Sequence, residues 1–326
     1  MVMAAGCSQR WKEEFTVQKL HFFTSKPELL LQPRWDIPPV LWLVYRCFML
    51  VYSLSWFIYT ALLFNTPKFF IFLSHISYCL MVIYYLLAFC NLAWAFLEIR
   101  CCSHRRKRAG VSIECEALLS LSLPLYTALN LQWLLHSVMG CFSLSVSFLY
   151  WTIIHPSHQH SLTAFNINIH FINSVQTAVD LLLSCTPVHL THFIYPVLAA
   201  ILYIIFAVVY WLMGGTNQSG QPYIYSILDF GGRPLLATLS ILGVCLVCLP
   251  FCQLLLWKLQ LLREWMVDCE KLRWMAVKRE VWWWVKVSGG TDSGLMASLD
   301  PSVSVFESTR WRDLMEDQLS QSLTLV

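Results

Sequence analysis

The sequence predicts an all-α polytopic membrane protein: a bundle of six transmembrane helices with both termini in the cytoplasm. Two observations lead to this prediction. The 326-residue chain has 57% hydrophobic and 13% charged residues, whereas an ordinary soluble domain has about 25% charged residues. Its Lys and Arg residues also form three blocks separated by long apolar runs, which is the positive-inside pattern of a multi-pass membrane protein.

Six apolar runs are long enough to span, since a helix that crosses a bilayer needs about 20 residues. The predicted spans are Pro39 to Phe64, Phe69 to Leu97, Leu129 to Ile154, Leu162 to Ser184, His192 to Met213 and Leu235 to Leu256. An even number of spans places both termini on the same side of the membrane.

Positive charge predicts which side that is. Lys and Arg concentrate before span one, between spans two and three, and after span six, whereas the opposite loops contain only Lys68 and Arg233. Basic segments stay in the cytoplasm. The net charge of +3 therefore comes from cytoplasmic segments, and we expect no nucleic-acid partner. The residues before Pro39 lack the pattern of a cleavable signal, so span one should be an uncleaved anchor.

The same pattern divides the chain into four segments. Residues 1–38 form a cytoplasmic amino-terminal segment, and residues 39–257 form the transmembrane domain. Residues 258–287 are basic and rich in Trp, which predicts a juxtamembrane helix on the inner leaflet; an uninterrupted continuation of span six is the alternative. Residues 288–326 are polar, and we expect a disordered cytoplasmic tail.

Span four carries a polar stripe. Steps of three and four residues place its members on one helix face: Asn166, His170, Asn173, Thr177, Asp180 and Ser184. Ionisable groups cost several kcal/mol or more at the bilayer centre, so this face should point into the bundle. Two interpretations stay open: a functional cavity around His170, or polar side chains that hydrogen-bond between helices.

At this stripe the sequence resembles a known family. The stretches NINIHFINSVQTAVDLLLS, PVHLTHFIYPVLAAILYIIFAVVYW and GGTNQSGQPYIYSILDFGGRP are similar to the rolling stone family of six-span membrane proteins, as are WLVYRCFMLVYSLSWF and KFFIFLSHISYCLMVIYY in the first two spans. The resemblance covers Trp35 to Glu264. It implies a plasma-membrane protein, with the endoplasmic reticulum as the alternative, and a role in cell contact or myoblast fusion.

A more distant resemblance implies a second function. The rolling stone family is similar to androgen-induced membrane hydrolases, which cleave fatty-acid esters with a Thr and a His. The His matches His170, but the Thr matches Ile71, which has no hydroxyl. Ser74 lies almost one turn further along the helix, beside His75, and is the candidate nucleophile. The chain is therefore either non-enzymatic, the favoured interpretation, or a lipid-ester hydrolase that uses His170 and Ser74.

Other short signals predict modification and partners. Cys101 and Cys102 precede a basic cluster just after span two, which is typical of palmitoylation, with unmodified thiols as the alternative. Asn217 begins a glycosylation sequon on the non-cytoplasmic side. Thr324 and the terminal Val326 fit the groove of a PDZ domain. The expected partners are membrane lipids and such a domain.

We expect no cofactor and no metal. His155, His158 and His160 form a His-rich turn, but no Cys, Asp or Glu lies near them to complete a zinc site.

Overall fold

The computed structural model describes residues 14–22, 24, 26–109, 123–158 and 163–287. These residues form six long helices, and the described part has no β-strand beyond an isolated bridge between Pro33 and Ser184. Helix α1 is Pro39–Phe64, and α2 is Leu73–Ala109. Helix α3 comprises Leu123–Leu149, Tyr150–Ile154 and His155–His158; α4 comprises Ala164–Ile167, Asn168–Ile172 and Asn173–Leu183; α5 comprises Leu190–Phe193 and Ile194–Leu212; and α6 comprises Pro234–Gly243, Val244–Cys248 and Leu249–Val287. The all-α prediction is confirmed for this part of the chain.

Three of these helices contain a π-turn, in which the backbone winds more widely than in an α-helix. The π-turns are Tyr150–Ile154 in α3, Asn168–Ile172 in α4 and Val244–Cys248 in α6. Such turns shift the register of the residues that follow, and they occur frequently at functional sites.

Within the described residues, five helices are long and apolar enough to cross a membrane. They are Pro39–Phe64, Leu73–Glu98, Pro124–Ile154, Leu190–Leu212 and Pro234–Glu270. The predicted fourth span is also helical, but the polar stripe of α4 leaves it outside this set. The structure thus shows five of the six predicted spans by length and composition.

The helix ends differ from the predicted ones where the sequence contains a turn. Span two was expected from Phe69, but Pro67–Ile71 forms a separate 3-10 turn and α2 begins at Leu73. The side chain of Thr66 caps this turn by accepting a hydrogen bond from the Lys68 N–H at 3.0 Å. At its carboxyl end, α6 continues through Val287 without a break, so the predicted boundary between residues 257 and 258 falls inside one helix.

Helix α3 lies at the centre of the bundle and packs against α2, α4, α5 and α6. Its large side chains fill the core: Leu129, Trp133, Met139, Cys141 and Phe142 are all buried. We call the end of the bundle where α2, α4 and α6 begin the upper end, and the end where α4 finishes the lower end.

The amino-terminal segment closes the lower end. The Arg34 N–H donates to Leu183 O at 2.7 Å, the Trp35 indole donates to Leu182 O at 2.7 Å, and the Cys185 N–H donates to Gln32 O at 3.0 Å. The first two bonds satisfy carbonyl groups at the end of α4 that have no partner inside the helix, and the third joins the residues just after α4 to the amino-terminal segment. Arg263 of α6 is buried and donates to the carbonyl oxygens of Leu181, Ser184 and Thr186.

Glu14 anchors the start of this segment. Its carboxylate accepts from Lys19 Nζ at 3.0 Å and from the Leu190 N–H at 3.1 Å, and it lies 3.4 Å from His189 Nδ1. Burial by itself raises the pKa of Glu14, but the interactions with His189, Lys19 and Leu190 lower it more, so the pKa is about 2 instead of 4.5. The favourable contacts therefore require the ionised carboxylate.

Candidate functional site

A cavity of about 270 Å³ lies at the upper end of the bundle. Most of its lining is apolar, and the side chains with polar atoms are Ser74, His75, Tyr150, His170, Tyr203, Tyr225 and Ser240. All three π-turns contribute to the lining: Tyr150 and Ile154 come from the turn in α3, His170 from the turn in α4, and Val244 from the turn in α6. A concave apolar site with a few convergent polar groups is the usual form of a ligand-binding site.

His170 occupies the middle of the α4 π-turn. Its ring stacks on the ring of Tyr150, with centroids 3.6 Å apart and planes inclined by 6°. The Trp151 indole donates to the carbonyl oxygen of His170 at 2.8 Å. The side chain is only 8% exposed, and its buried Nδ1 has no hydrogen-bond partner among the described residues. A buried polar atom of this kind is suited to a ligand that supplies the missing bond.

Ser74 and His75 enter the cavity from the first turn of α2. His75 Nδ1 donates to Phe69 O at 2.8 Å, and its ring stacks on Phe69 with centroids 4.1 Å apart. Since a carbonyl oxygen can only accept, Nδ1 carries the proton and Nε2 is an acceptor.

Tyr225, in the loop before α6, is another polar residue that lines the cavity. Its side chain is close enough to Ser74 and Tyr203 for hydrogen bonding, and burial raises its pKa. It is therefore a neutral phenol that can donate to a ligand oxygen.

The structure thus brings Ser74 and His170, the two predicted catalytic residues, to one cavity. Among the described residues, however, no hydrogen bond connects Ser74 with His75 or His170. Ile71 lies outside the lining and packs with Ala207 and Ile224 instead. Proton transfer from Ser74 to an imidazole would need a shift in the side chains, which ligand binding can supply.

Asp180, further along the stripe, has a different environment. It is fully buried and accepts from Arg46 at 2.5 Å, from Tyr84 at 2.5 Å and from Tyr45 at 3.2 Å. Arg46 also lies over the ring of Trp42, with Cζ 4.4 Å from the centroid. Charge and hydrogen-bonding capacity are both matched here, so this cluster holds α1, α2 and α4 together.

The other stripe residues connect helices or close the helix ends. Asn173 accepts from Ser147 of α3 at 3.1 Å, and Thr177 donates to Asn173 O at 3.0 Å. Ser184 is buried, and its carbonyl oxygen accepts from Arg263. Asn166 is half-buried, and its N–H donates to the Thr163 hydroxyl that caps α4.

Sequence reasoning missed two buried residues on α4. Asn168 bonds to Tyr52 of α1 at 2.8 Å and to Tyr78 of α2 at 3.1 Å, and Gln176 donates to Ser53 at 3.0 Å. Asn168 lies between Asn166 and His170 of the predicted stripe, two positions from each, and the π-turn Asn168–Ile172 is what rotates it into the core. The Asn and Gln residues themselves were the available signal, since lipid-facing amides are rare.

A family model described as "Protein rolling stone" matches residues 5–275. The chain belongs to the rolling stone family. It is 24% identical over 239 residues to Protein rolling stone of Drosophila melanogaster, an alignment that covers 72% of this chain and 83% of that relative. No solved structure matches the chain. This rolling stone family member is therefore an integral, multi-pass membrane protein.

Of the remaining predicted sites of the rolling stone family member, only Asn217 has a described side chain. Cys101 and Cys102 are in the last turns of α2, but their side chains fall outside the described part, as do Thr324 and Val326 entirely. Asn217 is half-buried in the loop after α5, where its side-chain oxygen accepts from the N–H groups of Ser219 and Gln221. Within the described ranges, no three His, Cys, Asp or Glu side chains are placed to hold a metal ion.

Proposed function

We propose that this chain is a six-span membrane protein whose upper cavity binds a membrane lipid, and that it acts without catalysis in cell contact or cell fusion at the plasma membrane. The observation that carries the proposal is the cavity itself. It combines apolar walls with Ser74, His170 and Tyr225, and none of the residues that line it is Lys, Arg, Asp or Glu. Such a lining suits a neutral, mostly apolar molecule.

In this proposal α4 also crosses the membrane, which brings the number of spans from five to six. Its twenty residues, Ala164–Leu183, reach about 30 Å, the thickness of a hydrocarbon core. Its polar face is buried, whereas Phe171, Val175 and Val179 are exposed on the opposite face. The distribution of Lys and Arg supports cytoplasmic termini, which places the cavity in the outer half of the membrane.

One argument supports the absence of catalysis, and a second supports the cell-contact role. Ser74 has no hydrogen bond to an imidazole among the described residues, and Ile71 stands where the similar hydrolases have Thr, so Ser74 and His170 are not assembled as a catalytic pair. The family resemblance implies a role in contact or fusion between cells.

The proposal is tested with a substitution that fills the cavity. Ala200 lines it and is buried, so Ala200→Leu places extra atoms inside. Leu202, two residues away, is 68% exposed, and Leu202→Phe is the matched control. We expect Ala200→Leu to reduce co-purified lipid, measured by mass spectrometry, and to reduce aggregation or fusion of cells that express the protein. Equal lipid content and equal cell contact in both variants would overturn the proposal.

One observation favours a second function, lipid-ester hydrolysis: Ser74 and His170 line the same cavity. In this reaction Ser74 Oγ attacks the ester carbonyl while His170 takes its proton and returns it to the departing alcohol. Water then releases the acyl group as a fatty acid.

Hydrolysis is tested with the purified protein and a panel of lipid esters. Turnover that disappears in both Ser74→Ala and His170→Ala, but persists in Ser240→Ala, would establish the hydrolase and overturn the non-catalytic proposal. Ser240 is the matched control because its hydroxyl also lines the cavity. Our expectation is no turnover in any of the four proteins.

A further inference from the structure

The two halves of the predicted span in α6, Leu235 to Leu256, pack very differently. From Leu249 to Leu256 the helix is held in the bundle, since Leu249, Cys252, Gln253 and Leu256 are all buried. By contrast, the first ten residues, Pro234–Gly243, bury only Ala237. The π-turn Val244–Cys248 lies where the poorly packed half joins the well packed one.

The poorly packed half forms one wall of the cavity. Ser240, Ile241 and Val244 line it and are half-buried. Ala200, Tyr203 and Ile204 of α5 line it as well. A side chain added at Gly243 would meet nothing within 4 Å. The wall between the cavity and the surrounding lipid is therefore thin on the α6 side.

The loop before α6 covers the cavity from above. Ile227 and Leu228 line the cavity from the short turn Ser226–Leu228, and Leu228 is buried. The other end of this loop is fixed to the turn after α1, because Lys68 Nζ donates to the Thr216 hydroxyl at 2.8 Å and to Asn217 O at 2.9 Å. Access from the aqueous side is thus more restricted than access past α6.

We propose that the cavity opens sideways into the membrane between the first half of α6 and α5, and that it holds one acyl chain of a single-chain lipid ester. The chain lies along Ile204, Ile241 and Val244, and the ester carbonyl accepts hydrogen bonds at Ser74 and Tyr225. This inference rests on the proposed lipid binding and adds the route and the class of lipid.

The volume of the cavity and the charge of its lining indicate which class of lipid it holds. The volume of about 270 Å³ lies just below the range of about 300 to 1,000 Å³ typical of small-molecule sites. The cavity has room for no more than one acyl chain, so the second chain and the charged headgroup of a phospholipid would have to stay outside it. Burial of an ionised carboxylate would need a positive partner, and no Lys or Arg is among the lining residues. A neutral ester such as a monoacylglycerol therefore fits better than an ionised fatty acid.

The test uses a monoacylglycerol that has a photoreactive group in the middle of its chain, with the corresponding fatty acid and phosphatidylcholine as comparison probes. The full-length protein is labelled in nanodiscs, and the labelled residues are located by mass spectrometry. We expect the monoacylglycerol to label α5 and α6 around Ile204 and Ile241, and the other two probes to label these residues about tenfold less, a difference of about 1.4 kcal/mol in binding.

The opening is tested with two adjacent substitutions. Ile241→Trp fills the space between α5 and α6, whereas Leu242→Trp places the same side chain at a position that is 47% exposed. Labelling of residues inside the cavity should fall about tenfold in the first variant and stay unchanged in the second, the size expected when a filled site is overpacked. Ser240→Leu, a smaller obstruction, should give an intermediate result if Ile241→Trp fails to fold.

The outcomes separate the two proposals. Strong cavity labelling that neither Ile241→Trp nor Ser240→Leu reduces would overturn the sideways opening while lipid binding stands. Equal labelling by phosphatidylcholine or by the fatty acid would overturn the single-chain ester. Absence of cavity labelling by all three probes would overturn lipid binding itself.

Discussion

His170 and Asp180 lie on the same buried face of α4, about three helical turns apart, and the residues around them differ in kind. Three donors surround the Asp180 carboxylate, and the Arg46 guanidinium neutralises it. His170 meets the flat face of Tyr150 and a cavity, and its Nδ1 has no partner among the described residues. Asp180 is therefore part of the framework of the bundle, whereas His170 is available to a ligand.

The difference shows that a polar stripe in a span does not by itself indicate function. Each polar group inside hydrocarbon needs a partner, because an unpaired one costs free energy. Where neighbouring helices provide all the partners, the group is structural. Where they leave one missing beside a cavity, a ligand is the remaining source.

The largest expected effect comes from breaking the ion pair. Asp180→Asn leaves the buried Arg46 charge uncompensated, which typically destabilises a protein by about 3 to 5 kcal/mol. We expect this loss in the free energy of unfolding, measured by equilibrium unfolding in mixed micelles.

His170→Phe is the matched control on the same helix face. It keeps the ring stacked on Tyr150 and removes a nitrogen that has no partner, so stability should change by less than about 1 kcal/mol. If His170→Phe destabilised the protein as much as Asp180→Asn, the distinction between the two sites would be wrong.

The sequence was sufficient for the helical class and for five spans, because apolar runs and basic blocks are local features. It also placed Ser74 and His170 among the candidate residues. It could not predict that Arg46 pairs with Asp180, because 134 positions separate the two residues and only the tertiary fold brings them together.

The π-turns could not be predicted from the sequence either. They depend on competition between helix hydrogen bonds and side-chain packing, and a period of 3.6 residues assumes that no such turn occurs. This is why Asn168 was missed although its neighbours were identified. The contacts of the amino-terminal segment, including those of Glu14, could not be predicted because a charged stretch before a span has no periodic signal.

At the lower end, the Glu14 carboxylate is a second charged group whose partners come from the protein itself. We expect it to make a smaller contribution to stability than Asp180, and one that depends on pH. The groups that face its carboxylate are Lys19, His189 and the Leu190 N–H. Its pKa is about 2 in the folded protein and 4.5 as the reference value. A depressed carboxyl pKa stabilises the fold above the unfolded value, and this contribution is lost as the pH falls from about 4.5 towards 2.

Glu14→Gln should therefore destabilise the protein at pH 7 by on the order of 1 to 2 kcal/mol, a range that allows for solvent screening at the partly exposed Lys19. The difference from the wild-type protein should shrink between pH 4.5 and pH 2, measured by thermal unfolding in detergent. Glu28→Gln, in the same segment, is the matched control, since Glu28 has no ion pair among the described residues. A Glu14→Gln deficit that stayed constant down to pH 2 would show that the carboxylate charge is not what fixes the amino-terminal segment. The lower end would then be held by the other contacts of this segment, such as the backbone bonds of Arg34 and Cys185 and the indole bond of Trp35.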